Sequence, residues 1–221
     1  MLFRSADVYA AAVKAHGIKV TAVAAHEDGK ADYSAEVGTL ASAGGDAVAV
    51  IGYLDQGGKG IIQGSLDSGA FDTFILSDGM IGDSLTDAFG KSLNKSFGSL
   101  PGSTGKGAKV FTKVAKAAGI DSSGPYTGES YDAAALIVLA MQAGGSADRA
   151  SIAKNVMAVA NGPGKKIYAG QLKKGLDLLA KGKAIDYEGA TGVVFTDVGE
   201  HVGNFLEKEI KYGKFKTKKQ R

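Results

Sequence analysis

The residues "AVAVIGYLDQGGKG", Ala47 to Gly60, place an apolar run before a glycine-rich turn that carries a lysine. Such a turn cradles phosphate when it follows G-x-x-x-x-G-K-[ST], because the lysine and hydroxyl then meet phosphate and metal. Gly52 and Gly57 have the right separation, but Gly58 holds the lysine position, Lys59 comes late and Gly60 replaces the hydroxyl. A dinucleotide G-x-G-x-x-G fingerprint is also missing, so the stretch argues against a nucleotide site. Two other residues have chemistry suited to a ligand. Tyr53 closes one apolar run and Asp78 closes the next, "FDTFILSDG". In open α/β sheets the ligand crevice lies beyond the carboxyl ends of the strands. There a tyrosine offers a flat apolar wall with a polar tip, and a carboxylate offers a counter-charge to a cationic group. Each also has a plainer reading: Tyr53 as an aromatic covering a sheet edge, Asp78 as the first residue of an Asp-Gly turn.

The remaining reactive residue types form no catalytic set. The chain has no cysteine, which excludes thiol nucleophiles, disulfides and thiolate metal sites. His16, His26 and His201 lack the spacing of metal ligands and read as surface residues; no metal or cofactor is expected. No G-x-S-x-G elbow occurs among the serines. In "GESYD", Glu129 and Asp132 stand at a helix start, where carboxylates complement the helix dipole better than they serve acid–base chemistry. The chain does not read as an enzyme.

These residues need elements to position them. Val8, Ala12, Val13 and Ala15 have helical spacing, ended by Gly17, and "IKVTAVAA" has the β-branched alternation of a strand. "DYSAEVGTLASAGG" predicts a helix with Ser34 as N-cap, stopped at Gly44-Gly45. "DAVAVIGY" is a short, nearly continuous apolar strand of the kind buried on both faces of a parallel sheet. A glycine-containing helix and the strand "FDTFILSDG" follow. This β-α-β-α-β rhythm predicts a doubly wound α/β layer. The second half predicts helices over "KGAKVFTKVAKAAG", "YTGESYDAAALIVLAMQAGG", "DRASIAKNVMAVANG" and "QLKKGLDLLAKGK", around the extended piece "KKIYAG". Its end reads as strands with a hairpin near Gly199 or Gly203.

Composition limits the remaining classes. With 221 residues, 44% hydrophobic and 22% charged, the chain has the make-up of a soluble globular protein. Its net charge of +3 gathers in "EKEIKYGKFKTKKQR", a solvated strand end rather than a nucleic-acid surface. The longest apolar run, Ala133 to Met141, is far short of the roughly 20 residues of a membrane span and predicts a buried helix. The opening "MLFRSADVYAAAVKAHG" resembles the interior of an amphipathic helix rather than a secretory signal. The expectation is therefore an N-terminally truncated fragment.

From "KADYSAEVGTLASAGGDAVAVIGYLDQGGKGIIQGSLDSGAFDTFILSDGMIGDSL" onward, the sequence resembles the periplasmic solute-binding proteins of branched-chain amino-acid (leucine/isoleucine/valine) ABC transporters. "GPYTGESYDAAALIVLAMQAGGSADRASIA" resembles their return into the first lobe, and "GKKIYAGQLKKGLDLLAKGKAIDYEGATGVVFTDVGE" their closing section. The resemblance implies an α/β type I periplasmic-binding-protein fold, doubly wound parallel sheets in two lobes, with the first lobe incomplete. Residues 1–122 would form the second lobe without its first strand, 123–190 the returning helical part of the first lobe, and 191–221 the crossover back. Hinge crossings would fall near 121–127 and 190–194.

By the same resemblance, Tyr53 matches the tyrosine that lines the amino-acid cleft, and Asp78 the acidic residue that pairs with the ligand ammonium. Asp78 is one methylene shorter than the glutamate common there. Gly79 and Met80 would border the cleft. The implied function is capture of leucine, isoleucine or valine, or a similar small ligand, in the periplasm by a monomeric protein. It would deliver the ligand to ABC permease subunits in the inner membrane, neither crossing the membrane nor binding nucleic acid. A ligand-sensing regulatory or receptor domain of the same fold is the alternative, as is transport of an amide, urea or aromatic acid.

Overall fold

The computed structural model describes residues 2–122 and 124–221. Ser123, inside the first expected crossing, lies outside them. The chain divides into two compact units, Met1–Leu100 with Glu207–Lys219, and Pro101–Leu206 with Gln220–Arg221.

The first unit alternates helix and strand. Helix α1 (Leu2–Ala15) ends at Gly17, whose φ of 79° is open to a residue without Cβ. Helix α2 (Ser34–Ala43) leads to β1 (Val48–Val50), α3 (Gly58–Asp67) to β2 (Phe74–Leu76), and α4 (Asp83–Phe89) to β3 (Phe97–Pro101). Ser34 is the first helical residue rather than the cap. Asp32 does the capping work, accepting from the Ser34 amide at 3.1 Å and the Ser34 hydroxyl at 2.6 Å. These bonds hold the Asp32 carboxyl below its usual range.

The sheet order is β1-β2-β3-β6-β7, with β6 (Phe205–Lys211) and β7 (Lys214–Gln220) as the last two strands. Strands β1 and β2 are parallel, Val48 opposite Phe74 and Val50 opposite Leu76, and β2 is parallel to β3. Val50, Phe74, Leu76, Ile62, Leu85 and Ile210 are buried. Each such side chain supplies about 1.5–3 kcal/mol of driving force. The strand "IKVTAVAA" is a correction. None of its residues joins a ladder, and Ile18 and Val23 are exposed. It is tied by a side chain instead, Thr21 Oγ1 donating to Gly44 O at 2.7 Å. Alternating β-branched residues favour an extended backbone, but a strand also needs a neighbour in register.

In the second unit, α5 (Lys106–Ala117) precedes α6 (Thr127–Gly144), α7 (Arg149–Ala160), β4 (Lys165–Tyr168), α8 (Leu172–Ala180) and β5 (Ile185–Gly189). Strands β4 and β5 form a parallel pair. Leu136, Leu139 and Ala140 of α6 pack with Val159, Ile167, Ile185 and Tyr187. The apolar run in α6 is thus buried on one face only, since Ile137 is 47% and Val138 38% exposed. Helix α5 clusters with this unit through Phe111 and Ala115, which pack with Ala169, Ala190 and Tyr131. The compact units therefore divide at 100/101 and 206/207, while the lobes expected from the sequence divide at 122/123 and 190/191. The small hairpin near Gly199 is present as a bridge between Phe195 and His201. A longer hairpin, β6–β7, turns at Tyr212-Gly213, where both residues have positive φ.

Candidate functional site

Apolar residues make β1 the edge strand and β2 its inner neighbour; β1 runs out at Ile51-Gly52 and β2 at Ser77. Ser77 joins the two ends. Its amide donates to Val50 O at 3.1 Å, continuing the ladder by one residue. Its hydroxyl lies 3.3 Å from both Gly52 N, which donates to it, and Gly52 O, to which it donates. The next residues on each side, Tyr53 and Asp78, consequently leave the sheet side by side.

The two turns dock on each other. A Cβ added to Gly79 would lie 2.5 Å from Gly52 O and 2.8 Å from Tyr53 Cδ1, so only glycine fits between that carbonyl and the Tyr53 ring. Likewise a Cβ on Gly82 would lie 2.9 Å from Leu54 Cδ1. Tyr53 is 52% exposed despite this contact. Asp78 is exposed as well, and its Oδ1 accepts from the Gly79 amide at 2.8 Å. Asp78 opens a short 3₁₀ turn, Asp78–Met80, and its carboxylate caps the next amide at the surface. The structure thus brings Tyr53, Asp78 and Gly79 together at one strand-end mouth. Met80 is placed differently. It is fully buried, its sulfur filling the space where a Cβ on Gly58 would stand, so it supports the site from beneath instead of bordering it.

The glycine-rich turn now has a packing explanation. Gly57 has a φ of 125° and lies under the Tyr33 hydroxyl. Gly58 makes room for Met80, and a Cβ on Gly60 would come within 2.8 Å of Tyr33 Cδ2. Lys59 points away to an exposed i,i+4 pair with Asp55, at 2.7 Å. The turn accommodates the side chains of Tyr33, just before α2, and Met80, in the turn after β2, which accounts for three glycines without any phosphate.

Three residues that matter here carried no signal of their own in the sequence. Ser77 is one, although a serine directly before a strand-end aspartate is the pattern that would have found it. Tyr33, 5% exposed, is the second. His26 is the third and corrects the surface reading of the histidines: its side chain is 12% exposed, and its ring stands edge-on to Tyr33 at 5.9 Å. His16 and His201 are exposed as expected.

In the second unit, Asp132 also departs from its expected role. It is 2% exposed and accepts four donors: the Tyr187 hydroxyl, the Ala190 amide, the Thr191 amide and the Thr191 hydroxyl, each at 2.8 Å to its nearer oxygen. Burial, and then the Asp132 charge, push the Tyr187 hydroxyl far above its ordinary range, so it stays a donor. The carboxylate is a clamp on residues 187–191.

Among the described residues no helix is long and apolar enough to cross a membrane, and no group of three or more His, Asp or Glu side chains is arranged to hold a metal ion. No protein-family model matches the chain. Among curated proteins, the chain is 36% identical over 87 residues to the chemotactic signal transduction system substrate-binding protein BasB of Halobacterium salinarum, a match covering 39% of this chain and 21% of that protein. Among solved structures, a periplasmic binding protein type 1 from Bordetella pertussis superposes with a TM-score of 0.68 at 19% identity, over 96% of this chain and 56% of that one. The leucine binding protein LivK of Thermotoga maritima gives 0.61 at 18% identity, over 87% and 49%. A branched-chain amino acid ABC transporter protein from Thermus thermophilus with bound valine gives 0.61 at 15%, over 95% and 54%. The chain spans about half the length of these solved relatives. Parallel strands joined through helices and these superpositions together identify the fold as that of the type I periplasmic binding proteins.

Proposed function

We propose that this chain is the C-terminal part of a solute-binding component of an ABC importer, which holds a branched-chain amino acid or similar small ligand between two lobes. The observation that carries this reading is the mouth formed by Tyr53, Gly79 and Asp78 at the carboxyl ends of neighbouring parallel strands. Tyr53 supplies an apolar wall for the ligand side chain and Asp78 a counter-charge for its ammonium group. In this assignment residues 1–122 belong to the second lobe, 123–190 to the first, and 191–221 return to the second. The mechanism is binding with domain closure about the crossings at 121–127 and 190–194, not catalysis. The complete protein works as a periplasmic monomer that hands its ligand to the permease. The uncovered Ile137–Val138 face of α6 and the unpaired segment at 18–25 support a longer complete protein, with further chain covering both.

Calorimetry tests the reading. The complete protein is expected to bind leucine, isoleucine or valine, and Asp78→Ala to remove about 2–5 kcal/mol of that affinity, the cost of stranding one side of a desolvated charge pair. Residues 1–221 alone, holding one wall of the mouth, are expected to bind them very weakly. Unchanged affinity in Asp78→Ala would reduce Asp78 to a turn residue.

The similarity to BasB, a substrate-binding protein of a chemotactic signalling system, favours one further reading, ligand sensing by the same mouth. Co-purification of the complete protein with a permease, as opposed to a signal-transducing receptor, separates the two.

A further inference from the structure

The six residues from Gly52 to Gly57 that carry Tyr53 are short of internal anchors. Tyr53 O accepts from Gln56 N at 3.3 Å and Gly58 N at 3.1 Å, and Gln56 O accepts from Gly29 N at 3.2 Å. From outside, the Ser77 hydroxyl holds the turn at Gly52, and Tyr33, the residue just before α2, holds it at Gln56 and Gly57. The Tyr33 hydroxyl donates to Glu27 O at 3.2 Å and lies 3.5 Å from Gln56 O. Both bonds are long, so the ring carries the contact. The hydroxyl end lies against Gly57, and the Cδ2–Cε2 edge of the ring lies where any side chain at Gly60 would stand. The Lys30 ammonium sits 5.7 Å from the ring centroid, closing another side.

The Gly52 end of the turn, bonded to the Ser77 hydroxyl, also packs against a neighbour of Tyr33. The His26 ring meets Tyr33 edge-on, at 81° between planes, and its Nε2 would lie 3.3 Å from a Cβ on Gly52. Gly52 is the residue whose carbonyl forms the notch for Gly79. The Tyr33–His26 pair therefore brackets the turn at Gly52 and at Gly57, with Tyr53 between.

We propose that Tyr33 is a positioning residue of the candidate site, braced by His26: its ring fixes the 52–57 turn so that the Tyr53 ring stays over Gly79 beside Asp78. Tyr33 is buried and acts through the turn, not on a ligand. The proposal rests on the ligand-site reading of Tyr53 for its meaning, but its structural content stands without any ligand.

The test is nuclear magnetic resonance on the full 221-residue chain, reading the cross-relaxation between Tyr53 ring protons and Gly79 Hα and the ring-current shift of Gly79 Hα. In Tyr33→Leu most of that cross-relaxation is expected to vanish and Gly79 Hα to move toward its random-coil position, while the amides of Phe74, Ile75 and Leu76 stay in place. Tyr33→Phe keeps the ring and is expected to retain both signals. Gly60→Ala is the second variant, since alanine is the better helix former and the added methyl displaces the Tyr33 ring. It is expected to weaken the same signals in a folded chain. Retention of the signals in either folded variant, Tyr33→Leu or Gly60→Ala, overturns the proposal, as does their loss in Tyr33→Phe. Leucine calorimetry on the complete protein then separates the two levels. Weaker binding in Tyr33→Leu but not Tyr33→Phe supports both, whereas no leucine binding by the unsubstituted protein fails the ligand reading and leaves the positioning result intact.

Discussion

Asp78 and Asp132 are the same residue type, each near the start of a helical turn and each accepting backbone N–H groups, yet they sit in opposite environments. Asp132 is buried and saturated by donors from 187–191. Asp78 is exposed at a strand end, with the Gly79 amide on one oxygen. Each has a glycine pressed against its surroundings: Gly189 beside Asp132, and Gly79 between Gly52 O and Tyr53. A buried carboxylate is worth keeping only when its lone pairs are used inside the protein. One left at a solvent-facing strand end adds less to stability, because water can serve its oxygens there. Position in the sequence does not distinguish the two, whereas burial does.

Removing Asp132 should give the largest effect. Asp132→Ala strands two amides and two hydroxyls, and each buried donor left unmade costs about 1–3 kcal/mol. A loss of about 3 kcal/mol or more is expected after partial rehydration, read as a lower urea midpoint. Asp132→Asn should fall between, because an amide retains one acceptor oxygen. If Asp132→Ala left the midpoint unmoved, the clamp would be decorative and the contrast with Asp78 would collapse.

The glycines come next. Gly189 has a φ of 57° and its Cβ position overlaps Asp132 Oδ1, so Gly189→Ala combines backbone strain with displacement of the clamp. About 2–3 kcal/mol is expected, at the upper end of overpacking costs. Gly79→Ala meets Gly52 O and the Tyr53 ring, and about 1–3 kcal/mol is expected from the same source. The two should differ in where the damage appears. Hydrogen exchange should quicken around 187–191 in the first variant and around 52–54 and 77–79 in the second.

The parts of this picture that were legible in the sequence share a physical cause. Strands β1 and β2 and most helices were readable because burial imposes a period on their residues, and glycine marked their ends. The nearness of the β1 and β2 ends was readable because strand ends in a parallel sheet lie together. Strand β3 was not, since "FGSLP" carries a glycine, a serine and a proline and too little apolar pattern. The turn at Tyr212-Gly213 was missed because a tyrosine with φ of 56° gives no local warning. Contacts made across the fold were invisible for a simpler reason. Tyr187 and Thr191 lie 55 and 59 residues from Asp132, and Ser77 lies 25 from Gly52, so nothing in a local window relates them. The packing of Tyr33 on Gly57 and Gly60 belongs to the same class, and it is why a packing turn resembled a phosphate loop.

The smallest expected effect is also the sharpest test of the comparison. Asp78→Ala removes an exposed side chain whose bond to the Gly79 amide is local and can be replaced by water. Surface substitutions of this kind lie within about 0.5 kcal/mol of neutral. Urea unfolding of residues 1–221 should therefore give nearly the same midpoint and slope for Asp78→Ala as for the unsubstituted chain. A loss of about 2 kcal/mol or more would mean that the carboxylate is spent on the fold, as Asp132's is, since only groups with a structural debt cost that much to remove. An unchanged midpoint, beside a lost ligand affinity in the complete protein, would divide the two carboxylates cleanly. Asp132 would then hold the chain together, and Asp78 would be held by it for use.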